Sequence, residues 1–175
     1  MISNEFEWES LLHTDSPPKS RLKAALFTTY DRTDERLLVE HLLPVLLKLS
    51  REPGGNELEQ QYFLLELDQR LKQLHDKLII VSSTVREEAG DENEFESSIY
   101  SWIWRSIRHF TVGREGKAVQ HAKLWLLHWS STTDDDEEYI EIVVSSANLT
   151  RSAFKGQIQA VWRSCIKLKA LSALN

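Results

Sequence analysis

Two short stretches hold side chains whose types and spacing could do chemistry. Gln120-His121-Ala122-Lys123-Leu124-Trp125-Leu126-Leu127 places a histidine and a lysine two residues apart at the head of an apolar run. Val143-Val144-Ser145-Ser146-Ala147-Asn148-Leu149-Thr150 ends an apolar run on small polar residues closed by an asparagine. An imidazole can act as nucleophile or proton carrier, and an ammonium neutralises an oxyanion. Hydroxyl and amide groups add hydrogen bonds. These are the parts of one half of a phosphate-binding site.

The flanking runs read as the strands of a hairpin. Val119 to Trp129 forms the first, Ser130 to Glu138 the polar loop, and Tyr139 to Ser146 the second. Side chains alternate along a strand, so His121 and Lys123 share a face while Ala122 and Leu124 take the other. A loop centred near residue 134 makes paired positions sum to about 267, which sets His121 opposite Ser146. Asn148 then lies just beyond the pairing. Lys123 offers charge, Asn148 its amide donors, and Ser145 or Ser146 a hydroxyl. A lone His-x-Lys on a strand is commonly surface decoration; it is the pairing with the Ser-Ser-Ala-Asn ending that gives it weight.

The same geometry removes two distractors. His128 is roughly 23 Å along the strand from His121 at about 3.3 Å per residue, and it has the opposite parity. His75-Asp76-Lys77 repeats the spacing, but His75 closes a helical pattern and Lys77 opens a strand. That pair reads as ordinary cations at a helix C-terminus.

The remaining elements must position these groups. Ala24 to Tyr30 is a short apolar run rich in β-formers and reads as a buried strand. Thr33 or Asp34 can cap a helix in which Leu37, Leu38, His41, Leu42, Val45, Leu46 and Leu49 recur on one face, with Pro44 as a kink. His41 reads as a structural histidine on that face. Residues 50–56 are a loop. Leu64, Leu67, Leu71, Leu74 and Leu78 continue a second helix from Leu58, which meets a strand at residues 78–83. Residues 84–97 are acidic and loop-like. Ile99, Ile103, Ile107 and Phe110 share a helical face, although the aromatic density there also suits a strand. Gly113 to Lys117 is a turn. Ile158 to Trp162 is a further strand. Strand, helix, helix, strand in succession indicates α/β layers. Residues 1–20 form a polar extension ending at Pro17-Pro18, with a short amphipathic turn around Trp8 and Leu11, and residues 21–175 form one domain.

Composition narrows the classes. Lys and Arg total 21 against 27 Asp and Glu, a net charge of −6. A surface that coats nucleic acid broadly needs clustered cations, so any nucleic-acid contact must be local. Much of the acid sits at residues 87–96 and 134–138 and reads as solvated loop. The single cysteine, Cys165, has no internal partner for a disulfide and reads as a small buried hydrophobe in a reducing compartment. The sequence has no apolar run of spanning length and no secretory signal pattern. No cluster of Asp, His and Cys suggests a metal.

Taken together, these stretches resemble the phospholipase D superfamily. His121-Ala122-Lys123 is similar to its His-x-Lys strand, and Ser145-Ser146-Ala147-Asn148 to the Ser/Asn cluster after the next strand. The superfamily's usual Asp falls at His128 here. One branch lacks that Asp, the tyrosyl-DNA phosphodiesterases. Gln159-Ala160-Val161-Trp162 resembles their Gln-bearing strand ending in Trp. Leu26 to Tyr30, with its acidic successor and Leu42-Leu43-Pro44, resembles their opening strand and helix. The resemblance covers residues 22 to 163, with a longer loop at 132–138.

The resemblance implies a phospholipase D-like α/β/α sandwich with a mixed central sheet, present as a single lobe. It implies that His121 attacks phosphorus to form a phosphohistidine, and that Lys123 and Asn148 hold the non-bridging oxygens. Gln159 would orient His121 or the phosphate, with Ser145 and Ser146 in support. No cofactor or metal is implied. The implied substrate is a nucleic-acid phosphodiester, a 3′ adduct on DNA. The implied location is intracellular, nuclear in a eukaryote and otherwise cytoplasmic, with no membrane role. Such enzymes need two facing motifs, the second histidine protonating the leaving group and then activating water. This chain supplies one convincing copy. Three arrangements stay open: the N-terminal half of a longer enzyme, a homodimeric nuclease, or a catalytically silent phosphate- or nucleic-acid-binding or dimerisation module. A globular α/β domain with accidental motifs is the bland alternative.

Overall fold

Strand β1 (Ser20–Thr29) is the one around which the sheet is laid. It pairs in parallel with β2 (Leu78–Ser83) and antiparallel with β5 (Leu124–Ser131). Beyond β2 lie β3 (Arg108–Arg114), parallel to it, and the two-residue β4 (Ala118–Val119). Beyond β5 lie β6 (Glu138–Ser145) and β7 (Val161–Leu168), both antiparallel. The order is β4-β3-β2-β1-β5-β6-β7, a mixed sheet in an α/β fold. This computed structural model describes residues 14, 16, 17, 19–31, 33–83, 101–114, 118–133, 137–156 and 159–168. The proposed turn around Trp8 and the acidic loop at 84–97 fall outside them.

The first crossover runs through a π-helical segment (Leu37–Leu42) directly into α1 (Leu43–Leu47), then α2 (Glu57–Gln73). Asp34 starts it, accepting the N–H groups of Arg36 and Leu37 at 3.0 and 3.1 Å. Pro44 sits inside the continuous helical run, just past the π segment; the wider π turn, closed by the Leu43 N–H on the Leu38 carbonyl, accommodates a residue that has no N–H to donate. The wider π turn shifts the later residues off the 3.6-residue period. That is why Val45, expected on the apolar face, is 40% exposed. Asn56 caps α2 through a reciprocal pair with Glu59. Phe63, Leu64, Leu67 and Leu71 form its buried stripe, while Leu58 faces solvent.

Among the described residues between β2 and β3, α3 (Ser101–Trp104) is helical. Ile103 and Ile107 are buried as expected, but Phe110 is not on their helical face. It lies in β3 opposite Val81, half exposed, because chain pairing captures residues 108–114. Of the turn expected at 113–117, Gly113 and Arg114 belong to β3 and pair with β4, and residues 115–117 lie outside the described residues. A short α4 (Arg151–Gly156) precedes β7. Cys165, expected to be buried, is half-buried in β7.

The core is one cluster. Ala25 and Phe27 of β1, Leu78 and Ile80 of β2, Trp125, Leu127 and Trp129 of β5, and Val143 of β6 meet the helical leucines. These strand positions share one parity, so a single sheet face carries the helical layer among the described residues. The other parity, including Leu26, Ile79, Leu126 and Ile140, lines an open pocket of about 390 Å³. Within the core, the Trp129 indole donates to the buried Glu141 carboxylate at 2.9 Å. Lys48 lies 5.3 Å from the Trp129 ring; burial lowers its ammonium below the ordinary value, against a smaller opposing pull from Glu141.

Leu67 is fully buried, so Leu67→Ala should cost about 2–5 kcal/mol in chemical denaturation, as lost transfer energy plus a cavity. Leu58→Ala on the same helix should stay within about 0.5 kcal/mol. Equal losses at the two sites would contradict this assignment of the buried face.

Candidate active site

At the carboxyl end of β1 the sheet stops being a ladder. Pairing of β1 with β5 ends at Phe27 and Trp125. Next along β1, the Thr28 hydroxyl donates to the Ala122 carbonyl and accepts the Leu124 N–H, both at 2.9 Å. A side chain thus does what the neighbouring backbone does elsewhere. Residues 120–123 are irregular, so His121 and Lys123 precede the strand instead of lying on it. The shared-face argument from strand alternation does not apply to them. The hairpin register also differs by one from the expected value: Leu124 pairs with Val144 and Ser130 with Glu138. Lys123 therefore aligns with Ser145, whose N–H donates to the Lys123 carbonyl at 2.9 Å.

The two basic residues still meet, through Tyr30. The His121 ring is exposed and lies 5.1 Å from the Tyr30 ring, tilted by 56°. Lys123 Nζ is 3.4 Å from both His121 ring nitrogens and 5.9 Å from the Tyr30 ring centre. An ammonium equidistant from both nitrogens is not aligned on either lone pair. An arriving anion could draw it away without breaking an ideal hydrogen bond.

Asn148 holds the backbone of Tyr30. Its carbonyl oxygen accepts the Tyr30 N–H at 3.1 Å, with the Thr29 hydroxyl at 3.5 Å. Its amide nitrogen donates to Asp31 Oδ2 at 2.6 Å. The buried Thr29 hydroxyl also accepts the Leu149 N–H at 3.1 Å. An amide carries two N–H groups, so one remains for an anion. Sequence reasoning did not single out Asp31 or Tyr30 as site residues. Both follow directly on the apolar run of β1, but no spacing rule sets them against a residue more than a hundred positions away.

Ser145, Ser146 and Gln159 occupy supporting places. Ser145 Oγ accepts the Ala147 N–H at 2.9 Å, turning the chain toward Asn148. Ser146 Oγ donates to Gln159 Oε1 and accepts the Ala160 N–H at 3.0 Å. Gln159 Nε2 donates to the Ala153 carbonyl at 3.1 Å. His128 stands in β5 opposite Ala24, with Nε2 3.2 Å from Glu138 but outside hydrogen-bond geometry. It lines the open pocket, as do His75 and Lys77. His75 and Asp76 both take positive φ after α2, and the Lys77 carbonyl accepts the Ala25 N–H, well back along β1 from Tyr30. Among the described residues no three His, Cys, Asp or Glu side chains gather as a metal site.

The segment after Asn148 is tied back to the helix start. Asp34 accepts from Arg151 Nε at 2.6 Å, and its N–H donates to the Leu149 carbonyl at 2.8 Å. Burial alone would raise the Asp34 carboxyl, but hydrogen bonds from Arg151 and the Leu37 N–H outweigh it and hold the group below its ordinary range.

A mixed sheet with three parallel strands on one side and an antiparallel run on the other, ending in a His-x-Lys and Asn cluster, defines a phospholipase D-like half. Residues 57–173 match the family model described as Tyrosyl-DNA phosphodiesterase, more than half of the chain. The chain belongs to the tyrosyl-DNA phosphodiesterase family. Among solved structures it is similar to the SCAN1 mutant of yeast Tyrosyl-DNA Phosphodiesterase 1, at 16% identity and TM-score 0.44, covering 93% of this chain and 29% of that one. It is also similar to the yeast Tyrosyl-DNA Phosphodiesterase, at 16% identity and TM-score 0.38, covering 90% of this chain and 27% of that one. The chain thus spans less than a third of these relatives. None of the curated proteins matches it. Among the described residues no helix is long and apolar enough to cross a membrane.

A depressed carboxyl stabilises the fold above its unfolded-state value of about 4 and loses that contribution as pH falls through the lower folded value. Chemical denaturation between pH 6 and 3 should therefore show a steeper loss for the wild-type chain than for Asp34→Asn. Parallel curves would refute the Asp34–Arg151 link as a stabilising contact.

Proposed function

We propose that this chain is one half of a phosphodiester hydrolase of tyrosyl-DNA phosphodiesterase type, acting on 3′ adducts of DNA. Residues 21–175 form the phospholipase D-like half and residues 1–20 a polar extension. The observation that carries the reading is the exposed His121 imidazole with the Lys123 ammonium 3.4 Å from it, joined through Tyr30 to Asn148. Family membership supplies the reaction class.

In this reading a ring nitrogen of His121 attacks phosphorus. The P–N bond forms as the P–O bond to the adduct breaks. Lys123 and the remaining N–H of Asn148 take the non-bridging oxygens, where negative charge gathers. Ser145, Ser146 and Gln159 hold the chain segments that carry these groups. The leaving oxygen takes its proton from a general acid on a second His-x-Lys half. Water activated there then hydrolyses the phosphohistidine, releasing the 3′-phosphate end and restoring His121. The second half comes from a longer chain; a twofold partner is the arrangement that solution mass distinguishes from it. A DNA-repair role follows from the same substrate class, in the nucleus of a eukaryote and otherwise in the cytoplasm.

The test uses a single-stranded oligonucleotide carrying a 3′-phosphotyrosine. With the second half present, His121→Ala should lower cleavage about a thousandfold or more, because the nucleophile is gone. With this chain alone, Lys123→Ala should weaken binding about tenfold through loss of a charge-assisted contact. Cleavage that survives His121→Ala would sink the nucleophile assignment, and unchanged binding in Lys123→Ala would remove the anion site.

A further inference from the structure

The phosphate-facing asparagine is not held by its own element. The Asn148 side chain is bracketed by the last residue of β1 and the two residues that follow it, from both ends of the amide. On the oxygen side, the Tyr30 N–H and the Thr29 hydroxyl are its donors. On the nitrogen side, Asp31 Oδ2 lies at 2.6 Å, the distance of a charge-assisted hydrogen bond. These partners fix which end of the amide is which, since only the nitrogen can donate to a carboxylate. They also fix the amide plane, and with it the direction of the second N–H.

We propose that Asp31 is a positioning residue for the phosphate-binding N–H of Asn148. This rests on the phosphodiesterase reading above. The oxygen-side contacts alone leave rotation about the side chain weakly restrained, because the Thr29 contact is long at 3.5 Å. Asp31 supplies the short, directional restraint. Its cost is a carboxylate close to a site meant for an anion, which the Lys123 ammonium, 5.9 Å from the Tyr30 ring centre, offsets. A neutral acceptor of the same shape would keep the restraint and remove the repulsion. Asp31 therefore acts by geometry, and its charge is dispensable.

Two measurements on the full chain test this, one of which needs no ligand. In ¹H–¹⁵N spectra of the unliganded protein, the two side-chain amide protons of Asn148 should be well separated, with the one bonded to Asp31 shifted downfield. Asp31→Ala should draw them together, and Asp31→Asn, which keeps an acceptor oxygen, should leave them apart. An unchanged pair in Asp31→Ala would overturn the proposal. The second measurement is affinity for the single-stranded 3′-phosphotyrosyl oligonucleotide. Asp31→Ala should weaken binding about tenfold, and Asp31→Asn should hold it within about twofold of wild type. In an Asn148→Ala background, Asp31→Ala should change nothing further, because its effect passes through that amide. Additive losses, or equal losses for alanine and asparagine at position 31, would overturn the positioning role. If Asp31→Ala loses its fold by circular dichroism, Asp31→Ser carries the same test, its hydroxyl being too short to reach. A wild-type chain that does not bind the oligonucleotide overturns the phosphodiesterase reading, while the amide spectrum still upholds or overturns the Asp31 contact by itself.

Discussion

The side-chain amide of Asn148 is the contact on which the site depends. At the end of β1 the chain leaves the sheet, and the Tyr30 N–H has no ladder partner. A buried amide proton without an acceptor is costly, so the turn needs a substitute carbonyl. Asn148 supplies it from a segment that follows β6, across two intervening strand pairings. The same side chain then reaches Asp31, and the adjoining Leu149 N–H reaches the Thr29 hydroxyl. One residue joins the end of β1 to the start of α4, and a second link from Asp34 to Arg151 secures the join. The surface on which His121 rests, the Tyr30 ring, is placed by that closure.

The central position of β1 makes this arrangement economical. Its parallel neighbour β2 and antiparallel neighbour β5 both present their buried faces to one helical layer, so β1 is fixed along its length. What remains adjustable is its end. There Thr28 replaces ladder bonds by side-chain bonds to residues 122 and 124, holding the irregular segment close without making it a strand. An irregular segment leaves His121 exposed and Lys123 half-buried, which suits groups that must meet a ligand. The chain's net charge of −6 does not oppose this, because the acidic runs at 87–96 and 134–138 are separate in sequence from the basic pair.

Much of this was legible from periodicity. The β2 run at residues 78–83 reads as a strand at its observed limits, because an apolar block bounded by polar residues has few other uses. The long helix reads from its leucine spacing, whereas its cap, Asn56 with Glu59, sits at the edge of what reads as a loop. Where a side chain replaces backbone, periodicity misleads. Val119 to Trp129 looks like one strand because its composition is continuous, yet Val119 pairs with β3 and the chain is irregular until Leu124. Val45 leaves the assumed period because a π turn precedes it, and at Phe110 the strand that the aromatic density also suits is the one realised. At the site, His121, Lys123 and Asn148 could be singled out by residue type, but the means of their meeting could not. It runs through Tyr30 and Asp31, whose partners are distant in sequence and invisible to any local rule.

In the proposed site one anion is shared by the His121, Lys123 and Asn148 side chains. The most direct test is a crystal structure of the chain with orthovanadate, a mimic of the pentacoordinate phosphorus. Vanadium should face a His121 ring nitrogen, with its oxygens within about 3 Å of Lys123 Nζ and Asn148 Nδ2. Vanadate bound elsewhere, or bound at His121 with Asn148 Nδ2 turned away beyond hydrogen-bond reach, would contradict the shared site.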